Sequence, residues 1–429
     1  MQAATPTPSR PRNYAVSIAI IGVLFFIFGF VTWLNGTLIP FLQLACDLKS
    51  DGQALLVTFA FYMSYFFLAI PSSFILRKTG LKGGMSLGLM VMAVGALVFI
   101  PAALMRSFEV FLAGLFVQGM GLALLQTASN PYISVIGPIE SAASRISIMG
   151  ICNKVAGVLS PIVLSALVLS NARETEAAVQ AAASGSERDL LLQELAHRIV
   201  APYGVMAAAL IVLGLMIRYS PLPEIDGADE DGERAADGTR KTSILQFPHL
   251  LLGVVCIFVY VGVEVMAGDV ISLYGKALGL NLDRTKILTT YTMVSMLVGY
   301  SIGIVAIPRY LRQETALKLS AITGIAVALA AYFAPGTVSI VFIALLGLAN
   351  ALMWPAIFPM AIDGLGRFTS IGSALLVMGI AGGAILPQIY ARLAASIGHQ
   401  SAFFWCVLPC YLFILYFAVS GHRVGRRSA

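Results

Sequence analysis

Twelve runs of apolar residues dominate the chain, each about 20 residues long or longer, the length an α-helix needs to cross a bilayer. In the first half they lie near 15–45, 54–76, 84–105, 109–136, 146–169 and 200–218. After a polar stretch at 219–247 they resume near 249–274, 287–308, 316–334, 337–362, 370–392 and 401–421. Of the 429 residues, 59% are hydrophobic and 11% charged. A water-soluble domain of this size does not bury so much apolar surface, so lipid is the expected solvent. In lipid every backbone N–H and C=O must be satisfied inside the protein, which leaves helices or a closed barrel. The runs are far longer than the roughly 10 residues of a barrel strand. The expected fold is an all-α membrane protein with 12 transmembrane helices in two pseudo-symmetric six-helix bundles.

This reading divides the chain into an N-terminal tail (1–13), a first bundle (14–218), a linker (219–247), a second bundle (248–421) and a C-terminal tail (422–429). An even number of crossings puts both termini on one side. Seventeen of the 27 Lys and Arg residues fall on that side, among them Arg77, Lys78, Lys82 and Arg145, and nine on the other, among them Lys276, Arg284 and Lys286. The excess favours cytoplasmic termini, and a multi-pass cell (inner) membrane protein. The net charge of +6 reflects these basic connections rather than a nucleic-acid surface. The apolar run after the polar stretch Met1–Asn13 is too long for a signal-peptide core and reads as a retained first span. The linker is rich in Asp, Glu and Gly, and 171–198 reads as an interfacial helix. The five cysteines, at 46, 152, 256, 406 and 410, form no metal-binding spacing and read as free thiols.

Of the 21 acidic residues only Glu264 and Asp269 fall inside an apolar run. A charge at bilayer depth costs about 2.5 kcal/mol or more, so such groups face a cavity or a partner. Lying five apart, the two acids are about 140° apart around a helix at 3.6 residues per turn. One is expected to line a cavity while the other meets a neighbouring span. A carboxyl that is dry in one state and wet in another can gain and lose a proton between them. Lys154 lies nine residues past Arg145, roughly 13 Å along the axis at 1.5 Å per residue, too deep to snorkel easily. Pairing with Glu264 or Asp269 across the halves is one reading, and a bond to backbone carbonyls is the other. Two acids and one base leave one negative charge, which a single H+ or Na+ would neutralise.

The halves echo each other at a fixed offset. Gly121-Leu122-Ala123 recurs as Gly347-Leu348-Ala349, and Gly157 with Pro161 recurs as Gly383 with Pro387, both 226 residues later. Six spans plus six, joined by a polar middle, is the plan of alternating-access transporters, whose site lies at mid-membrane between the halves. Glycines 150, 157, 379, 382 and 383 would let helices approach closely. Prolines 131, 161, 355, 359 and 387 would permit bends.

Several segments carry a family likeness. Span one has Phe25-Phe26-Ile27-Phe28-Gly29-Phe30 and Leu34-Asn35-Gly36-Thr37-Leu38-Ile39-Pro40, and span two has Phe61-Tyr62-Met63-Ser64-Tyr65-Phe66. Span four has Leu125-Gln126-Thr127-Ala128-Ser129-Asn130-Pro131-Tyr132, followed by Gly137-Pro138. Span seven has Tyr260-Val261-Gly262-Val263-Glu264, and span ten Trp354-Pro355-Ala356-Ile357-Phe358-Pro359. With these segments the chain resembles the major facilitator superfamily, and within it the fucose–glucose–galactose permease family. The resemblance implies cation-coupled uptake of a hexose through a cavity lined by spans one, four, seven and ten. Two positions depart from the fucose branch: its span-one Asp is Gly36 here, and its span-four Glu is Gln126. Its span-five Asn matches Asn153. The pattern sits closer to the glucose/galactose branch.

Gln126 and Asn130 are four apart and share a helix face. Their amides both donate and accept, as sugar hydroxyls require, though interhelical bonding is the alternative. Asn35 and Asn153 are candidates on the same grounds. Asn350 and Trp354 are also four apart, and an indole face can stack on a pyranose while its N–H donates. Trp33 shares that depth argument, and Gln388 beside Pro387 completes the substrate-binding set. Glu264, Asp269 and Lys154 form the cation-coupling set. No cofactor or metal is expected beyond a co-transported H+ or Na+, and the expected partners are a sugar and the bilayer, around a monomer. A proton-coupled exporter on the same plan is the rival, with Glu264 as its acid and Gly157-x-x-x-Pro161 as a faint signature. No hydrolase, zinc or phosphate-loop motif appears, so an enzyme is not expected.

Overall fold

The structure is a computed structural model that describes residues 14–136, 142–169, 171–182, 185–222, 243–307 and 310–425. The N-terminal tail, the Gly137-Pro138 motif, most of the linker and the end of the C-terminal tail lie outside the described residues. Among the described residues every regular element is helical. Span one is Tyr14–Trp33 continued by Asn35–Ala45. Spans two and three run on within Leu56–Met105. Span four is Phe108–Val135, span five Ala142–Val168 and span six Val200–Arg218. Span seven is Pro248–Gly268 with Ile271–Ala277, span eight Leu288–Ala306 and span nine Gln313–Phe333. Span ten is Val338–Asn350 with Met353–Ile362. Span eleven is Thr369–Met378 and Gly382–Ile397 around a short 3₁₀ turn, and span twelve is His399–Val419.

Leu56–Met105 shows why glycine is needed at one point. Its 50 residues would make a rod about 75 Å long at 1.5 Å per residue, well beyond the ~40–45 Å of a whole bilayer. The chain turns back at Gly80, whose φ of 69° and ψ of 171° only glycine adopts freely. Spans two and three are therefore two helices that meet at Gly80.

The breaks within spans follow the prolines in one case of three. Span one breaks at Leu34, span seven at Asp269 and span ten at Ala351–Leu352. Only the last is a proline effect: the ring of Pro355 opposes the carbonyl of Ala351, four residues back. Pro131 and Pro161 sit inside unbroken helices. The interfacial helix expected at 171–198 is two helices, Ala172–Ala181 and Gly185–His197. Arg188 pairs with Asp47 at 2.6 Å and Arg106 with Asp189 at 3.1 Å, tying the second helix to spans one and three.

One of the two sequence echoes is a structural one. A Cβ on Gly157 would lie 2.8 Å from Trp33 of span one and 3.0 Å from Met293 of span eight; on Gly383 it would lie 2.9 Å from Val265 of span seven and 3.0 Å from Tyr62 of span two. Each glycine thus meets the first span of its own half and the second span of the other. Gly121 faces Gly88 and Met92 of span three, whereas Gly347 faces Thr292 and Met296 of span eight, so this tripeptide match is not an equivalence. A Cβ on Gly121 would come within 2.6 Å of the Met92 nitrogen, a backbone atom that cannot step aside. Gly121→Val is therefore expected to destabilise the first bundle by about 1–3 kcal/mol, read as a lower unfolding temperature in detergent.

The halves are joined at the end that carries the 171–198 connection. Thr37 donates to the Lys286 carbonyl at 3.2 Å, Lys276 to Gln43 at 3.0 Å, Lys286 to the Leu169 carbonyl at 3.3 Å, and Thr290 to the Val158 carbonyl at 3.3 Å.

Candidate functional site: a central cavity crossed by an ion pair

Between the halves lies a cavity whose empty space, open solvent at its mouth included, is ≈ 690 Å³. Its wall comes from both bundles. Spans one, two, four and five supply Trp33, Tyr62, Tyr65, Gln126, Asn130, Asn153 and Lys154; spans seven, eight and ten supply Tyr260, Glu264, Tyr300 and Trp354.

Lys154 and Glu264 meet in this wall. The ammonium Nζ donates to Glu264 Oε1 at 2.8 Å, with side chains only 5% and 11% exposed. Span five belongs to the first half and span seven to the second, so the pair bridges the halves. The ammonium also lies 4.0 Å from the centroid of the Trp33 ring. The indole N–H of Trp33 donates to Asn153 Oδ1 at 3.2 Å. A continuous chain of contacts thus runs from an amide on the cavity wall to a buried carboxylate.

Asp269 takes the other place foreseen for the two acids. It follows the last residue of the Pro248–Gly268 helix, is fully buried, and accepts a bond from the Tyr62 hydroxyl at 3.4 Å. It does not line the cavity. Through Tyr62, which does, it sits one side chain behind the wall.

The substrate-binding candidates separate into two groups. Gln126, Asn130, Asn153 and Trp354 share the cavity wall. Gln126 Nε2 donates to the Tyr65 hydroxyl at 3.0 Å, which leaves its carbonyl oxygen for another donor. Asn35, Asn350 and Gln388 do not line the cavity. Asn35 begins the helix that follows the Leu34 break and is fully buried in packing. Asn350 is fully buried and accepts from Tyr411 at 2.8 Å, while only Trp354 of that pair reaches the cavity. Gln388 donates to the Gly52 carbonyl at 3.5 Å, joining span eleven to the segment before span two.

Sequence reasoning did not single out the tyrosines. Tyr62, Tyr65, Tyr260 and Tyr300 all face the cavity, and each carries a hydroxyl that both donates and accepts. A usable signal was present: Tyr62 and Tyr65 lie three apart, and Tyr260 and Glu264 four apart, so each pair shares a helix face.

Comparison with known proteins gives consistent results. Residues 21–387 match the sequence profile of the Major Facilitator Superfamily. The chain is 33% identical to a glucose/galactose transporter of Brucella abortus, over 97% of this chain and 96% of that one. It is 27% identical to the L-fucose-proton symporter of Escherichia coli, over 95% and 94%. Among solved structures it is similar to that of a Major Facilitator Superfamily transporter, FucP, in the outward conformation, with a TM-score of 0.76 and 27% identity over 97% of this chain and 100% of that one.

Proposed function

The chain belongs to the Major Facilitator Superfamily, and from that premise we propose that it imports a hexose of the glucose–galactose type by proton symport. The observation that carries this reading is the buried Lys154–Glu264 pair, which spans the two halves in the wall of a central cavity lined by amides and hydroxyls. The bundles 14–218 and 248–421 act as the two moving units, joined by 219–247, with both termini in the cytoplasm and the monomer as the working unit in the inner membrane.

The coupling follows from electrostatics. While Glu264 is ionised, the pair is satisfied and holds the halves together. A proton on Glu264 removes the anion and leaves a buried ammonium, and stripping one partner from a buried pair costs about 3–5 kcal/mol. A sugar hydroxyl accepting from Lys154 Nζ offsets that cost. Sugar therefore binds better to the protonated carboxyl, and by reciprocity the proton binds better when sugar is present. Proton and sugar then travel together. Gln126, Asn130 and Asn153 read the hydroxyls, and the Trp354 face takes the apolar side of the ring. Aromatic walls alone would also suit a lipophilic cargo, but three amides and four tyrosine hydroxyls facing the same space match a polyol.

Counterflow in proteoliposomes tests the reading. Labelled glucose, galactose, fucose and N-acetylglucosamine are offered with an imposed pH or sodium gradient. Glucose or galactose is expected to exchange and to accumulate with the pH gradient. Accumulation driven by sodium alone, or exchange of none of the four sugars, would replace the proposal.

A further inference from the structure

We infer that Trp33 is a positioning residue with two separable roles: its N–H edge sets the Asn153 amide for sugar, and its ring face keeps the Lys154 ammonium in place when Glu264 is neutral. This rests on the symport reading above and deepens it.

The geometry divides the indole cleanly. The Nε1–H is committed to Asn153 Oδ1 at 3.2 Å; with the bond from Asn153 Nδ2 to the Phe25 carbonyl at 3.5 Å this fixes the amide's orientation and leaves one N–H of the amide to donate to sugar. The ring face lies 4.0 Å from Lys154 Nζ, well inside the ~6 Å over which an aromatic face attracts a cation, and the attraction strengthens when the site is dry. Trp33 is only 2% exposed. Its ring is wedged between two glycines of opposite halves: a Cβ on Gly157 would lie 2.8 Å from Cδ1, and one on Gly268 would lie 2.5 Å from Cζ3. The indole therefore has little room to swing, and it stands where the break of span one meets the break of span seven.

A coupling lysine has a problem that this arrangement answers. Once Glu264 takes the proton, the Lys154 ammonium loses the carboxylate it donates to. The other carboxylate acting on the ammonium is Asp269, which is engaged with Tyr62. The remaining cavity groups that titrate, Tyr62, Tyr65, Tyr260 and Tyr300, are neutral near pH 7. A ring face is an acceptor that carries no charge and no proton. It holds the cation in both states of Glu264 and does not compete for the transported proton.

Two variants separate the roles. Trp33→Phe keeps an aromatic face and loses the N–H; Trp33→Leu loses both. In proteoliposomes, half-saturation for galactose is read by counterflow, and coupling by the steady-state accumulation ratio under a fixed pH gradient. Trp33→Phe is expected to raise half-saturation about three- to tenfold, the range of one hydrogen bond, with accumulation at saturating sugar near the wild-type ratio. Trp33→Leu is expected to show the same affinity loss and an accumulation ratio that falls towards one. Unchanged half-saturation in Trp33→Phe overturns the edge role. Retained accumulation in Trp33→Leu, or collapse of accumulation already in Trp33→Phe, overturns the face role. If Trp33→Leu does not fold, the Phe variant alone still decides: affinity lost with accumulation intact supports the inference, and any other pattern ends it. Failure of the symport reading itself shows separately, as wild-type protein that exchanges sugar without responding to the pH gradient.

Discussion

Glu264→Gln is expected to abolish accumulation driven by a pH gradient while leaving exchange of labelled for unlabelled sugar in place. The amide matches the protonated carboxyl in shape and charge, so it holds the protein in the state that binds sugar and cannot release a proton. Gradient-driven uptake should fall at least about tenfold, the ~1.4 kcal/mol scale on which a charge partner is felt. The variant leaves Lys154 without an anion, so some loss of stability is also expected. Combining it with Lys154→Met removes the stranded charge and should recover the stability without recovering the coupling. Wild-type accumulation in Glu264→Gln would take this residue out of the proton path altogether.

Gln126→Ala should weaken sugar binding about tenfold or more. The side chain holds the Tyr65 hydroxyl at 3.0 Å with its nitrogen and offers its oxygen to the cavity. Truncation leaves a sugar hydroxyl unpaired and the Tyr65 hydroxyl without its partner, each at about 1–3 kcal/mol where no water replaces the contact. Because Gln126 is uncharged and distant in role from the ion pair, accumulation at saturating sugar should persist. A half-saturation equal to wild type in counterflow would remove Gln126 from the sugar site.

These predictions use residues whose types and positions were legible to different degrees. The spans could be read because crossing a bilayer demands a run of apolar residues and nothing in water does. Lys154 and Glu264 could be read for the same reason: ionisable groups at such depth stand out against hydrocarbon. That Glu264, rather than Asp269, meets Lys154 depends on which face of span seven turns to the cavity, and the neighbouring spans set that. Asp269 keeps the helical backbone bond to Val265 at 2.8 Å and lies on the face that meets Tyr62. Asn350 shows the same limit: it shares its span with Trp354, yet its carbonyl oxygen meets Tyr411 of span twelve and only Trp354 lines the cavity. The tyrosines went unread because Tyr is at home at a membrane surface, in a packed core and in a binding site. Only the facing helices decide among these, and facing helices are a property of the fold rather than of one segment. The tripeptide echo at Gly121 and Gly347 misled for a statistical reason: in a chain with 40 glycines, short matches arise without equivalence.

The Trp33 contacts could not be foreseen from spacing. Trp33, Lys154 and Gly268 come from three spans, and their meeting depends on two helix breaks falling side by side. Local sequence gives each break at best a hint, here Gly36 just after one and Gly268 just before the other.

The most direct test of the account is the movement of protons themselves. Wild-type protein is reconstituted into vesicles enclosing a pH-sensitive dye, with no gradient imposed, and galactose is added outside. The account predicts that the vesicle interior acidifies as sugar enters, that a protonophore removes the signal, and that Glu264→Gln takes up labelled galactose with no acidification. Sugar entry by the wild-type protein with no change in internal pH would contradict it.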